Sequence, residues 1–228
     1  MHPAQTIVQL YEQLAERPDD EHLRVRDGYA LAAQLFAGRY RASGRTFVSH
    51  LVGTASALVD DAAPIDVVLA GLLHAAYPQG VFPGRHSRRR AQVRSAIGAA
   101  AEEWVHGYAH FDWAGADFAP GAVDPELVRI RVANEIDECA GGALRYCSAR
   151  RRRAVDGAAP GLIEAARAHG FAGMARRLEA ALASNTGEAL CGLVPEHGRS
   201  YTLVPPLREV LRLELRSLRR TLGRRGRS

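Results

Sequence analysis

Runs of β-branched residues are scarce in this chain, aromatic residues make up only 7% of it, cysteine occurs three times, and no apolar stretch approaches the length of a membrane span. Each shortage excludes something. Without β-branched runs there is little material for a sheet-based fold. Without roughly 18 consecutive apolar residues there is no transmembrane helix, so no membrane partner is expected. Cys139, Cys147 and Cys191 form no C-x-x-C pair and match no zinc-site spacing. They read as reduced, mostly buried small side chains of a cytosolic protein. The N-terminal stretch MHPAQTIVQLYEQLAERPDD carries acidic residues early and lacks an uninterrupted apolar segment, so it does not read as a secretory signal. A cytoplasmic location is the expectation.

What is abundant is helix-forming. The 228 residues are 47% hydrophobic, enough to bury a core, and Ala, Leu, Arg and Glu predominate. The Ala- and Arg-heavy composition fits a GC-rich bacterial genome. The formal net charge is +5 and the isoelectric point about 9.5. Much of the excess is local, in Arg88–Arg90, Arg150–Arg153 and the tail Arg219–Arg227. Such runs are commonly solvated surface; the sharper alternative is attraction to phosphates, nucleic acid or an acidic partner. Arginine clusters without interleaved aromatics are poor evidence of base recognition, so nucleic acid is not the favoured partner.

Periodicity predicts helices over Ile7–Ala15, Tyr29–Tyr40, Thr46–Asp60 and from Pro64 to near Pro78. A further helix is predicted over Val93–His110, broken around Gly107. Asp124 is a candidate N-cap with Pro125 in the first helical position, opening a helix to about Cys139. Residues 150–160, with the Arg run, Gly157 and Pro160, make the best boundary. It separates a helical domain, residues 1–153, from a C-terminal helical extension, 154–228. In the extension, short helices are predicted over Pro160–His169 and Ala172–Ser184, Tyr201–Val204 as a short strand, and a last helix from Pro206 to Leu222. That last helix carries a leucine stripe flanked by arginines, which would pack on the core, dimerise, or touch an acidic surface.

Three segments stand in a telling order. Gly44–Arg45–Thr46–Phe47–Val48–Ser49–His50 opens one helix. Ala70–Gly71–Leu72–Leu73–His74 follows, with His74 twenty-four residues after His50. Arg131–Val132–Ala133–Asn134–Glu135–Ile136 comes after an intervening Ile97–Gly98 segment. The set resembles the HD superfamily, and in particular the hydrolase domain of RelA/SpoT-type proteins, over about residues 27–146. The resemblance implies an all-α, HD-domain-like helical bundle. It also implies a site in which two His and two Asp converge on one divalent cation, which lowers the pKa of a bound water and clamps a phosphate oxygen.

Carried over residue by residue, His50 and His74 match the two histidines and are the expected catalytic and metal-binding residues, with Asn134 as third ligand. The family's Asp positions fall at Ala75 and Asn134, and its acidic Glu-Asp pair at Pro78 and Gln79. Such a site would hold one divalent metal ion weakly, and hydrolysis of guanosine tetraphosphate is not expected of it. Arg45, Tyr77, Arg85 and Arg88 are the expected substrate-binding side chains. Tyr77, Phe82 and Trp104 would line a central cavity. Glu102, His106 and His110, spaced by four on one helix face, are candidate substitute ligands, with Glu103 three residues before His106. Asp137 and Glu138 would reach inward if the register shifts by a turn. Taken singly, each histidine also reads as an ordinary core residue bonded to a backbone carbonyl.

Three functions follow. The first is an HD-like enzyme, a hydrolase or a related enzyme, with altered metal use or none, acting on a small phosphorylated or nucleotide-like substrate. The second is a non-catalytic HD-like protein that binds a small, anionic ligand or a partner protein. A third is an interaction or nucleic-acid-associated protein that works through its cationic C-terminal helix.

Overall fold

The structure, a computed structural model, describes residues 3–113, 118–190 and 200–203. It is an all-α bundle with one two-stranded ribbon. The helices are α1 Ile7–Gln13, α2 Asp19–Leu35, α3 Phe47–Asp60, α4 Ile65–Leu73, α5 Ala76–Gln79, α6 Arg89–Ile97, α7 Ala99–His110, α8 Pro125–Cys139, α9 Ala149–Ala168 and α10 Ala172–Ala183. The strands are β1 Arg39–Tyr40 and β2 Tyr201–Thr202, paired antiparallel. None of the described helices is long and apolar enough to cross a membrane. The leucine-striped segment from Pro206, the Arg219–Arg227 tail and Cys191 lie outside the described residues.

α3 is the axis of the core. Thr46 caps it, its side chain accepting from the Ser49 N–H, and Phe47 and His50 to Leu58 are all buried. A helix apolar on nearly every face must be wrapped by others. α1, α4 and α8 do so. Gly71 lets α4 come close, since a Cβ there would stand 2.3 Å from Leu58 Cδ1. α8 begins as its sequence predicts, with the Asp124 side chain accepting from the Glu126 N–H and Pro125 in the first turn.

Three predicted boundaries move. The helix expected to reach Tyr40 ends at Leu35, because Gly38 turns with a positive φ of 66° and feeds β1. The helix expected over Val93–His110 breaks at Gly98, with φ 91°, and not at Gly107. Gly107 sits inside α7, where an added Cβ would make ordinary contact with Leu127. The third change falls at residues 150–160. Here α9 runs unbroken through Gly157 and Pro160, so the expected boundary at residue 153 lies within a helix. Glycine and proline cost about 1 and 3 kcal/mol in a helix interior. The buried stripe Val155, Ala159, Leu162, Ala165 and Ala166 offsets that cost by packing toward α8 and α10. Asn185 ties this region to the end of α8, donating to the Cys139 carbonyl at 2.7 Å and accepting from the Leu144 N–H at 2.9 Å.

The two glycines make opposite predictions. Gly98→Ala is expected to lose about 1–2 kcal/mol in urea denaturation, because an L-residue is strained at that φ. Gly107→Ala should leave stability unchanged or raise it by up to about 1 kcal/mol. Equal effects at the two positions would contradict this break point.

Candidate functional site

His50 lies one turn into α3 and is fully buried. Its Nδ1 is 2.7 Å from Asp137 Oδ2. A carboxylate only accepts, so Nδ1 carries the proton and Nε2 is left as a lone pair. That Nε2 is buried and has no hydrogen-bond partner. His74 follows α4 directly and is 4% exposed. Its Nδ1 donates to the Gly71 carbonyl at 2.7 Å. The two rings meet edge to face, 5.3 Å between centroids, and Tyr108 closes the far side of His74 at 5.4 Å.

The residue that α8 delivers to His50 is Asp137, one turn beyond Asn134. Asp137 is fully buried and accepts from three residues at once. Arg45 Nη2 lies 2.8 and 2.9 Å from its two oxygens, and Arg45 Nη1 donates to its backbone carbonyl at 2.8 Å. Gln5 Nε2 donates to Oδ1 at 3.1 Å, while its Oε1 accepts from Arg45 at 2.7 Å. Gly53 supplies the room: a Cβ there would stand 1.8 Å from Asp137 Oδ1. Asn134 is buried, and its amide donates to Glu135 at 3.2 Å. Glu138 is held by Arg41 and by Arg151 at 3.3 Å. Burial opposes its charge, but the guanidinium groups of Arg41 and Arg151 keep its carboxyl well below the usual range.

Both imidazoles are kept neutral. Burial, followed by repulsion from Arg41, holds the His50 pKa below its ordinary value, and the Asp137 hydrogen bond offsets only part of this. Burial, with His50 next to it, pulls His74 down to about 3. These residues do not fit the hard divalent cation that the family resemblance implies. Two neutral nitrogens and an amide offer no carboxylate to it. Asp137 is engaged by Arg45, and the described residues include no cluster of three His, Cys, Asp or Glu placed to hold a metal ion.

Of the other expected residues, Arg45 joins the His50 cluster through Asp137, while Tyr77 is bonded elsewhere, to Glu102. Tyr77 donates its hydroxyl to buried Glu102 at 2.6 Å, and Arg90 Nε and Nη2, both at 2.7 Å, and Arg94 at 2.9 Å complete the cage around that carboxylate. Burial would raise the Glu102 carboxyl, but the bonds from Arg90, Tyr77 and Arg94 bring it to about 2. Glu102 therefore holds α5, α6 and α7 together and is not placed as a ligand beside His106. Arg85 and Arg88 are exposed. Two cavities of ligand size open nearby. One, about 470 Å³, is lined by Gln5, Arg45, Gly141 and Tyr146 among others. The second, about 410 Å³, is lined by Tyr77, His86, Arg89, Arg90, His106 and His110. Neither is lined by His50 or His74.

Sequence reasoning missed Gln5 and Gly53, and placed Asp137 only through a shift of register. A glycine three residues after His50, on the same helix face, was the one available signal. A family model described as a domain of unknown function (DUF6817) matches residues 31–113. This span carries both histidines and the second cavity but not Asp137. No curated protein matches the chain.

Two measurements probe the cluster. Gly53→Ala should destabilise by about 2 kcal/mol or more in chemical denaturation, because Asp137 cannot move without losing partners. The two histidines also make stability depend on pH. Their folded pKa values lie below the unfolded value, so the unfolded chain takes up protons first as pH falls. Stability is complete above about pH 6.5 and declines toward pH 3, by about 1.4 kcal/mol per pH unit for each histidine still neutral when folded. Denaturant midpoints measured from pH 8 to pH 4 should show this slope, and His74→Leu should reduce it. A flat profile would contradict the neutral pair.

Proposed function

We propose that this chain is a non-catalytic, HD-like helical protein that binds a small anionic ligand. The observation that carries this reading is the closure of the histidine pair. His50 and His74 are buried, neutral and committed to Asp137 and the Gly71 carbonyl, with no carboxylate to complete a metal site. A general base needs access to substrate and a pKa near the working pH. His74, buried at about 3, has neither. What supports the HD-like relation is the convergence of α3 and α4, which bring the two matched histidines into ring contact. What supports anion binding is the open cavity rich in arginine and histidine beside Tyr77. A cytoplasmic setting agrees with Cys139 and Cys147 being buried free thiols.

A second reading has one observation in its favour. The unpartnered His50 Nε2, with Nδ1 held by a carboxylate, is how a metal-ligating imidazole is oriented. It would take a borderline cation such as zinc on imidazole nitrogen, not magnesium or manganese.

Elemental analysis of the purified full chain separates the two. The binding reading expects metal far below one ion per chain, and no release of phosphate or pyrophosphate from nucleotide substrates with added manganese. Near-stoichiometric metal that is lost in a folded His74→Gln variant would overturn it in favour of the second.

A further inference from the structure

The cavity between α5, α6 and α7 carries more chemistry than a basic surface. The chain contains no lysine, so every fixed positive side-chain charge is a guanidinium, constant across the physiological pH range. Arg90 and Arg94 are spent on Glu102 and Glu103, with Arg90 Nη2 2.9 Å and Arg94 Nη2 2.7 Å from Glu103 Oε1 in addition to their bonds to Glu102. Two cations against two carboxylates leave that cluster close to neutral. Arg89 differs. It makes no ion pair among the described residues, and its guanidinium lies over the Phe82 ring, 5.3 Å from the centroid.

The histidines add a conditional charge. His110 Nδ1 is 2.8 Å from the His106 carbonyl oxygen. A carbonyl only accepts, so Nδ1 carries a proton whether the ring is neutral or charged. Nε2 is then the nitrogen left for a ligand. In the neutral ring it offers a lone pair, which repels an oxyanion. In the protonated ring it offers an N–H and a positive charge. His106 stacks on His110 with centroids 4.1 Å apart and meets Tyr77 edge to face at 6.0 Å. Burial, then Arg90 and His110, hold the His106 pKa below its ordinary value, so an anion seated here would favour its protonation.

Other charged groups meet these rings. Arg89, Arg90 and Arg94 come from α6, Tyr77 from α5 and His86 from the turn before α6, while Glu102 and Glu103 stand one turn or so back along α7. Arg131 of α8 and His74 meet the opposite face of α7 through Tyr108.

We propose that this cavity is a proton-gated site for a dianionic oxyanion of the phosphate class, with Arg89 supplying the permanent charge and His110, backed by His106, supplying a charge and a donor on protonation. It rests on the binding reading above and names the ligand class and its control. Its volume of about 410 Å³ exceeds a bare phosphate and admits the organic body of a phosphomonoester against Tyr77.

Sulfate is the probe, because it stays dianionic from pH 6 to pH 8 and any pH dependence then belongs to the protein. Calorimetric titration of the full chain at constant ionic strength should show sulfate bound roughly tenfold more tightly at pH 6 than at pH 8. Arg89→Ala should weaken binding about tenfold or more at both pH values, and Arg89→Lys should recover part of it. His110→Phe should remove most of the pH dependence and leave the pH 8 affinity near that of the parent. These side chains are not in the buried core, and circular dichroism checks that each variant folds. No sulfate binding at either pH, equal affinity at both, or parent-like behaviour in Arg89→Ala and His110→Phe would overturn the proposal. Metal-dependent hydrolysis would instead sink the binding reading while leaving sulfate binding intact, so the two failures are distinguishable.

Discussion

A carboxylate with no access to water governs the centre of this protein. Asp137 is fully buried, and an isolated charge there would cost far more than the fold can supply. It is tolerated because Arg45, His50 and Gln5 all donate to it. Those partners come from the segment before α3, from α3 itself and from the residues leading into α1, so one charge draws three parts of the chain onto α8. Removing a partner from such a buried set typically costs about 3–5 kcal/mol, because the remaining charge is stranded. Gly53 is part of the same arrangement, as the helix position with no side chain where the carboxylate must sit.

The same solution recurs twice. Glu102 is caged by Tyr77, Arg90 and Arg94 and pins α5, α6 and α7; Glu138 is held by Arg41 and Arg151 and pins β1's end to α8 and α9. Each uses arginine, whose planar fork satisfies a carboxylate from several sides. These cages also bear on function. The acidic side chains near the two histidines are already neutralised by guanidinium groups, so the imidazole pair is left as a neutral core contact. Among the described arginines that line the α5–α7 cavity, Arg89 makes no ion pair, and it lies beside His106 and His110. That division is why a binding role on the α5–α7 face fits the molecule better than metal chemistry at its centre.

Much of the helical skeleton is legible in the sequence. α3 and α8 were marked by Thr46, by Asp124 with Pro125, and by their apolar patterns, and each begins within a residue of its expected start. The pairing of Tyr201–Thr202 matches a short expected strand, while Val204 lies outside the described residues. Two of the misplaced boundaries share one cause. Gly98, Gly107, Gly157 and Pro160 look alike as breakers, but packing decides which of them breaks a helix. Gly98 takes a positive φ, whereas Gly157 and Pro160 are carried by the buried stripe of α9.

The sequence by itself determined the all-helical class, the order of the main helices and the presence of two histidines in matching contexts, because those depend on local propensity and spacing along the chain. Only the tertiary structure decided what the histidines do. Whether α8 offers Asn134 or Asp137 to His50 depends on a rotation of less than one turn between packed helices, and on a glycine that leaves room for one carboxylate. Likewise, which arginines are spent and which remain uncommitted depends on carboxylates brought close from other helices. Coulomb attraction and burial act through space, and no reading of residue order contains those distances.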